Sequence, residues 1–178
     1  MNTIITTIII GISLSMDAFS ISLIYGTLDL SNRKKFILSS IVGIYHFIMP
    51  LLGKEFGNFL TNLFNTNMNY LIAIIFLLIG IQMIIESFKK ENSPLLTSIT
   101  AFLIFGLSVS IDSFTTGIGI NSINNNHFQV SSIFSITSFL FTYLGLILGN
   151  KLTKKLGNIA TIIGGSILII LSIIYFLL

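Results

Sequence analysis

The sequence predicts an all-α, polytopic membrane protein with six transmembrane helices arranged as two inverted three-helix repeats. Three observations lead to this fold class. Charged residues make up only 8% of the 178 residues and hydrophobic residues 53%, whereas soluble domains carry about a quarter charged residues. Apolar segments of bilayer-spanning length, about 20 residues each, cover nearly the whole chain. The third observation is a polar pattern that occurs twice within these apolar segments.

Six helices are expected in the apolar segments, with short polar connections between them. Their expected bounds are 3–26, 36–57, 69–88, 95–120, 130–149 and 158–177. The connections contain helix-stopping and capping residues, which favours a tight antiparallel bundle. We therefore expect a single membrane domain over 1–178, with repeat one in 1–90 and repeat two in 95–178.

The basic residues predict how the helices are oriented. Eight of the nine Lys and Arg residues lie in the first, third and fifth connections, and only Lys54 lies in an even one. The positive-inside rule places the odd connections in the cytoplasm, so both termini are expected outside. The scattered basic clusters do not form a nucleic-acid footprint, and no nucleic-acid partner is expected.

The internal repeat is carried by aligned polar residues. The segment "GISLSMDAFSISLIYG" matches "GLSVSIDSFTTGIGIN" 95 residues later, which aligns Asp17 with Asp112. Further along, "SSIVGIYHFIMPLLGKEFGN" matches "SSIFSITSFLFTYLGLILGN" at a distance of 92 residues. Composition explains aligned isoleucines but not aligned aspartates. Because each copy holds three helices, the second copy enters the membrane from the opposite face, as in many secondary transporters.

Glycine pairs in the second and fifth predicted helices indicate close packing. Gly53 and Gly57 align with Gly145 and Gly149. Small residues at this spacing let helix backbones approach each other. We expect a packing role for all four.

Two aspartates lie inside predicted helices. An aspartate at the centre of a membrane helix costs about 2.5 to 3.5 kcal/mol, so Asp17 and Asp112 need compensation by a proton, a cation or water. Each belongs to a polar stripe at i, i+4 and i+7. The stripes are Ser13, Asp17 and Ser20, and Ser108, Asp112 and Thr115. Facing stripes would form an oxygen site suited to Mn²⁺ or Mg²⁺; the alternative is two protonated aspartates that hydrogen-bond between helices.

Three further polar residues lie in predicted helices. His46 is a candidate ligand or proton carrier, and a structural histidine fits equally well. Glu86 lies near the cytoplasmic end of the third helix, where an interfacial charge is the simpler interpretation. Gln82, one turn earlier, adds a second polar group at that end.

Several classes of chemistry are not expected from this sequence. No cysteine is present, which excludes disulfides and thiolate metal sites. We find no nucleophile motif, phosphate-binding glycine loop or zinc-type His/Glu pair, so the sequence does not predict an enzyme.

The motifs "SMDAFSISLIYG", "SIDSFTTGIGI", "GIYHFIMPLLG" and "GIQMIIESF" resemble those of the bacterial MntP-type manganese efflux pump family, a branch of the LysE-like transporters. The resemblance covers essentially the whole chain in the family's order. It implies six spans and export of Mn²⁺ across the bacterial plasma membrane, with Mn²⁺ as substrate and no cofactor. By this resemblance, Asp17 and Asp112 correspond to the family's two motif aspartates, and Glu86 corresponds to the acidic residue of the family's "MIIE" segment.

Two positions depart from the family pattern, and other functions stay open. His46 stands where some members carry glutamate, and Gln82 where some carry arginine. A related family of sporulation membrane proteins shares the paired-aspartate helices, which leaves a non-transport role as an alternative. Export of another divalent cation or of an amino acid is a further one. For a transporter, we expect alternating access by rocking of one repeat against the other, with proton antiport as a driving force.

Overall fold

A computed structural model describes residues 3–28, 30–64, 68–88, 98–120, 126–149 and 154–177. Within these ranges the chain is helical with short turns and contains no strand, which confirms the all-α prediction. In chain order the helices are α1 (Thr3–Gly26), α2 (Asn32–Phe64), α3 (Met68–Ser87), α4 (Ile99–Ser108), α5 (Ile111–Ile118), α6 (His127–Leu148) and α7 (Lys154–Leu177). Residues 95–97, where the fourth predicted helix begins, lie outside the described residues.

Five helical segments are long and apolar enough to cross a membrane, with α4 and α5 together forming one of them. These segments are Thr3–Gly26, Asn32–Phe59, Ile99–Ile118, His127–Leu148 and Ile159–Leu177. The apolar part of α3, Ile72–Ile85, is shorter. The chain is therefore a multi-pass membrane protein. Five of the six predicted spans are confirmed by length and composition, and the sixth, in α3, stays a prediction.

The fourth predicted helix, 95–120, is interrupted in its middle. A turn at Val109 and Ser110 separates α4 from α5. The amide and the hydroxyl of Ser110 both donate to the carbonyl of Leu107, at 3.2 and 3.0 Å. Such side-chain bonds compete with the regular helical pattern. The prediction of one continuous helix is wrong at this point, because no glycine or proline marks the turn.

The second helix is longer than predicted at both ends. It begins at Asn32 instead of residue 36, ends at Phe64 instead of residue 57, and continues through Pro50. Proline has no amide proton to donate one turn back, so the carbonyl of His46 loses its helical partner.

The first glycine pair in sequence sits where α2 meets α5. A side-chain carbon at Gly53 would collide with the carbonyl of Phe114, and one at Gly57 with the carbonyl of Ile118. The two backbones therefore touch directly, and the predicted packing role of both glycines is confirmed.

The second glycine pair makes the corresponding contact between α6 and α1. A side-chain carbon at Gly145 would lie 2.8 Å from the carbonyl oxygen of Phe19, and one at Gly149 would collide with the carbonyl of Leu23. The packing role predicted for this pair is also confirmed.

The remaining two long helices, α3 and α7, pack against each other in antiparallel fashion. A side-chain carbon at either Gly80 or Gly165 would lie 2.7 Å from the carbonyl oxygen of the other glycine. The hydroxyl of Ser172 donates to the carbonyl of Ala73 at 2.7 Å, inside the protein. A buried apolar cluster joins this helix pair to α1, and a second cluster joins α1, α2, α4 and α6.

Candidate functional site

A cavity of about 450 Å³ lies between α1, α3 and the turn that separates α4 from α5. Its polar lining consists of Asp17, Gln82, Ser108, Asp112 and Thr115. The structure thus brings both predicted aspartates to one cavity, together with the complete second stripe. Apolar residues of α1, α3, α5 and the turn form the rest of the wall.

Asp112 stands on the first turn of α5, directly after the turn in the chain. One carboxylate oxygen, Oδ1, accepts a hydrogen bond from the amide of Ser113 at 2.6 Å. The other, Oδ2, is buried and has no hydrogen-bond partner among the described residues. Leaving a buried polar atom unpaired costs free energy. This oxygen is therefore suited to take up a cation or a proton from the cavity.

Asp17 approaches the same cavity from the middle of α1, where it is half-buried. Both carboxylates belong to the lining of this one cavity. Like charges in such proximity oppose simultaneous ionisation. A divalent cation between the two carboxylates would relieve that repulsion, and so would a proton on either one.

The two hydroxyls of the cavity wall are arranged as acceptors. The hydroxyl of Ser108 donates to the carbonyl of Ile104 at 2.9 Å, and that of Thr115 to the carbonyl of Ile111 at 3.0 Å. Because a hydroxyl carries a single proton and two lone pairs, each oxygen keeps a lone pair for a ligand.

The first stripe contributes only its aspartate to this cavity. Ser13 is fully buried, and its hydroxyl donates to the carbonyl of Ile9 at 2.8 Å. Ser20 is half-buried and does not line the cavity either. The facing stripes expected from the sequence are therefore unequal in this structure.

His46 belongs to α2 and does not line the cavity. It is fully buried. Its Nδ1 lies 2.9 Å from the carbonyl oxygen of Val42, and its Nε2 has no partner within the described part of the chain. This geometry fits a histidine held by its own helix.

Glu86 lies in the last turn of α3, one turn after Gln82, and its side chain is outside the described part of the structure. Among the described side chains, His, Asp and Glu form no cluster of three that could hold a metal ion. Gln82 is the cavity residue to which the sequence assigned no role in binding. The sequence feature that could have indicated such a role is its spacing of one turn from Glu86, which places both residues on one helix face.

Fold and site together define the class of this protein: a multi-pass helical membrane protein in which two carboxylates from different helices share one cavity inside the span. A family model described as "Putative manganese efflux pump" matches residues 29–176. The chain belongs to this manganese efflux pump family.

Curated relatives carry the name "Putative manganese efflux pump MntP". One from Bacillus velezensis is 32% identical over 162 residues, which cover 90% of this chain and 88% of the relative. Another from Bacillus pumilus is 33% identical, covering 93% and 90%. A third from Geobacillus kaustophilus is 34% identical, covering 89% and 87%. No solved structure matches the chain.

Proposed function

We propose that this protein exports Mn²⁺ from the cytoplasm and binds it between Asp17 and Asp112. The observation that carries the proposal is that two carboxylates from separate helices line one cavity, where a buried oxygen of Asp112 lacks a partner among the described residues. Membership of the manganese efflux pump family supports Mn²⁺ as the cargo.

The cavity wall suits a hard divalent cation. Mn²⁺ and Mg²⁺ favour octahedral oxygen coordination, and two ionised carboxylates would neutralise their charge. Gln82, Ser108 and Thr115, which carry neutral oxygen atoms, line the same cavity. We propose Gln82 as a neutral ligand, and Glu86 as a third acidic residue on the strength of the family resemblance.

The helix contacts support two inverted repeats. Gly53 packs on the carbonyl of Phe114, and its repeat equivalent Gly145 packs on the carbonyl of Phe19, which is the equivalent of Phe114. One contact thus occurs twice with the roles of the two halves exchanged. A two-fold axis in the membrane plane relates inverted repeats in this way.

The proposed direction of transport requires an energy source. Moving two positive charges outward against an inward-negative potential costs about 4.6 kcal/mol per 100 mV. We propose that protons entering through Asp17 or Asp112 drive export. We also propose that both termini face outside, because eight basic residues lie in the odd connections, which the positive-inside rule assigns to the cytoplasm.

Rescue of a manganese-sensitive bacterial strain that lacks its exporter tests this function. Asp17→Asn and Asp112→Asn should each abolish rescue, because an amide cannot neutralise the cation. Glu55→Gln is the matched control, since Glu55 is an exposed carboxylate whose ion pair with Lys54 lies outside the cavity, and it should rescue normally. Full rescue by either asparagine variant, at the wild-type amount of protein in the membrane, would contradict the proposal.

A further inference from the structure

The helices on the two sides of the candidate site are packed unequally. α7 lies tightly against α1: a side-chain carbon at Gly164 would lie 2.7 Å from the carbonyl oxygen of Ser13 and 2.9 Å from Cβ of Met16. α3, in contrast, is separated from the turn between α4 and α5 by the 450 Å³ cavity.

These two helices occupy equivalent places in the two repeats. Gly80 of α3 and Gly165 of α7 make the same contact with each other's carbonyl oxygen. A two-fold relation between the helices therefore pairs positions 85 residues apart. On this count Ile79 of α3 is the counterpart of Gly164 of α7.

The residues equivalent to the contact that closes one side line the cavity on the other side. Met16 has its counterpart in Ile111, 95 residues later. Gly164 touches Met16, whereas Ile79 and Ile111 both line the open cavity. In this structure the interface is thus tightly packed on the α1 side and lined by a cavity on the α4–α5 side.

The serines of the two motifs report the same difference. Ser13 is 0% exposed beneath α7. Its counterpart Ser108 is exposed and lines the cavity. The cavity extends along the C-terminal half of α3, from Leu78 to Met83, toward the end that is cytoplasmic in the proposed orientation.

The glycine contacts that occur equivalently in both halves group the helices into two sets. Direct backbone contacts at glycines join α1 to α6 and α2 to α5, and other contacts join α2 to α6, including one at Gly43 against Phe139. α3 and α7 form the second set, held together by Gly80 and Gly165, and α7 also packs on α1 through Gly164. Where α3 meets α5, a side-chain carbon at Gly119 would lie 2.7 Å from Ile72, at the end of α3 remote from the cavity.

We propose that α3 and α7 move together as the gate of the transport cycle, and this proposal rests on the proposed transport function. The present structure is the state open to the cytoplasm. In the opposite state α3 closes on the turn between α4 and α5, so that Ile79 meets Ile111. At the same time α7 leaves α1 and uncovers Ser13 to the outside. The gate takes one helix from each repeat, which differs from the rocking of whole repeats expected from the sequence.

A cysteine pair tests the closed contact that this structure does not contain. The chain has no native cysteine, so any disulfide within the chain must come from the introduced pair. Ile79→Cys combined with Ile111→Cys should cross-link under oxidant in membranes, because a disulfide forms once the two Cα atoms come within about 7 Å. Export should stop on cross-linking and return on reduction. The two single variants should respond to neither treatment.

A second test replaces Ser13 or Ser108 with cysteine, which is similar in size to serine, and measures the labelling of the new thiol. A membrane-impermeant maleimide should label Ser108→Cys from the cytoplasmic face. Ser13→Cys should be protected in that state and should react from the outer face only during transport. Absence of the cross-link, together with a Ser13→Cys that stays unreactive from both faces, would overturn the gate. If labelling alternates but Mn²⁺ is not exported, the gate is supported and the proposed cargo is wrong.

Discussion

At the scale of single residues, the two aspartates differ in how the protein holds them. Asp112 has one oxygen fixed by the amide of Ser113 and the other unpartnered within the described chain. Asp17 approaches the cavity from an unbroken helix. The amino end of a helix stabilises negative charge, and Asp112 occupies that position in α5. The two carboxylates are therefore held differently, one at a helix end by a backbone amide and the other within a continuous helix.

Gln82 offers a residue-scale test of selectivity. An interaction with a charged partner contributes about 1.5 to 3 kcal/mol, so Gln82→Leu should weaken apparent Mn²⁺ affinity about tenfold or more. Gln82→Glu should keep binding of divalent cations at or above the wild-type level, because a carboxylate also offers an oxygen ligand. Metal-dependent growth of the exporter-null strain, across a panel of Mn²⁺, Fe²⁺, Co²⁺ and Cd²⁺, measures both.

The matched control for Gln82 is Gln129, an amide at the start of α6 and outside the cavity wall. Gln129→Leu should leave the metal profile unchanged. If Gln82→Leu also leaves it unchanged at equal protein level, Gln82 is not a ligand.

The repeated motif was enough to predict that Asp17 and Asp112 line one cavity, because the sequence places both at equivalent positions of two similar segments. It was not enough to exclude Ser13 and Ser20 from the cavity. Which of two equivalent stripes faces the cavity depends on how α7 and α3 pack in a given state, and the local spacing of serines carries no information about that packing.

At the scale of elements, the turn between α4 and α5 shows how far local sequence decides structure. The segments "SLSMD" and "SVSID" are repeat equivalents, yet the first lies in a continuous helix. There the hydroxyl of Ser15 donates to the carbonyl of Gly11 at 2.6 Å and lies 3.0 Å from that of Ser138. Ser110 instead bonds three residues back. The same motif thus adopts two conformations, and packing against other helices selects between them.

The glycine contact between α2 and α5 gives an element-scale prediction for stability. Gly53→Leu should destabilise the protein by about 2 kcal/mol or more, because the new side chain would overlap the carbonyl of Phe114. Leu52→Val is the control, since Leu52 is 52% exposed on the outside of the same helix. Thermal unfolding in detergent, followed by size-exclusion chromatography, should show a lowered midpoint for the glycine variant only. Equal midpoints for both variants would argue against a tight α2–α5 contact.

At the scale of the whole molecule, the order of the apolar helices and five of the six predicted spans followed from the sequence, since bilayer thickness fixes the length of a span. The way in which these helices group together did not follow from the sequence. Sequence repeats suggest two bodies of three helices each, whereas the glycine contacts join α3 of one half to α7 of the other. Such a division depends on contacts between distant parts of the chain, which one sequence does not reveal.

Proton coupling is a whole-molecule prediction. In liposomes loaded with a pH-sensitive dye, addition of Mn²⁺ should change the internal pH only when active protein is present, because each cation is exchanged for protons. Asp17→Asn should abolish the signal together with Mn²⁺ movement. Mn²⁺ flux without any pH change would rule out proton antiport and leave the cation site itself intact.

The most direct test of the central claim is Mn²⁺ uptake into inside-out membrane vesicles that contain either the wild-type protein or Asp112→Asn. We expect energised uptake of radioactive Mn²⁺ by wild-type vesicles and background uptake by the variant, with Glu55→Gln behaving as wild type. Uptake by Asp112→Asn at the wild-type rate and at equal protein level would contradict a site built on the two intramembrane carboxylates.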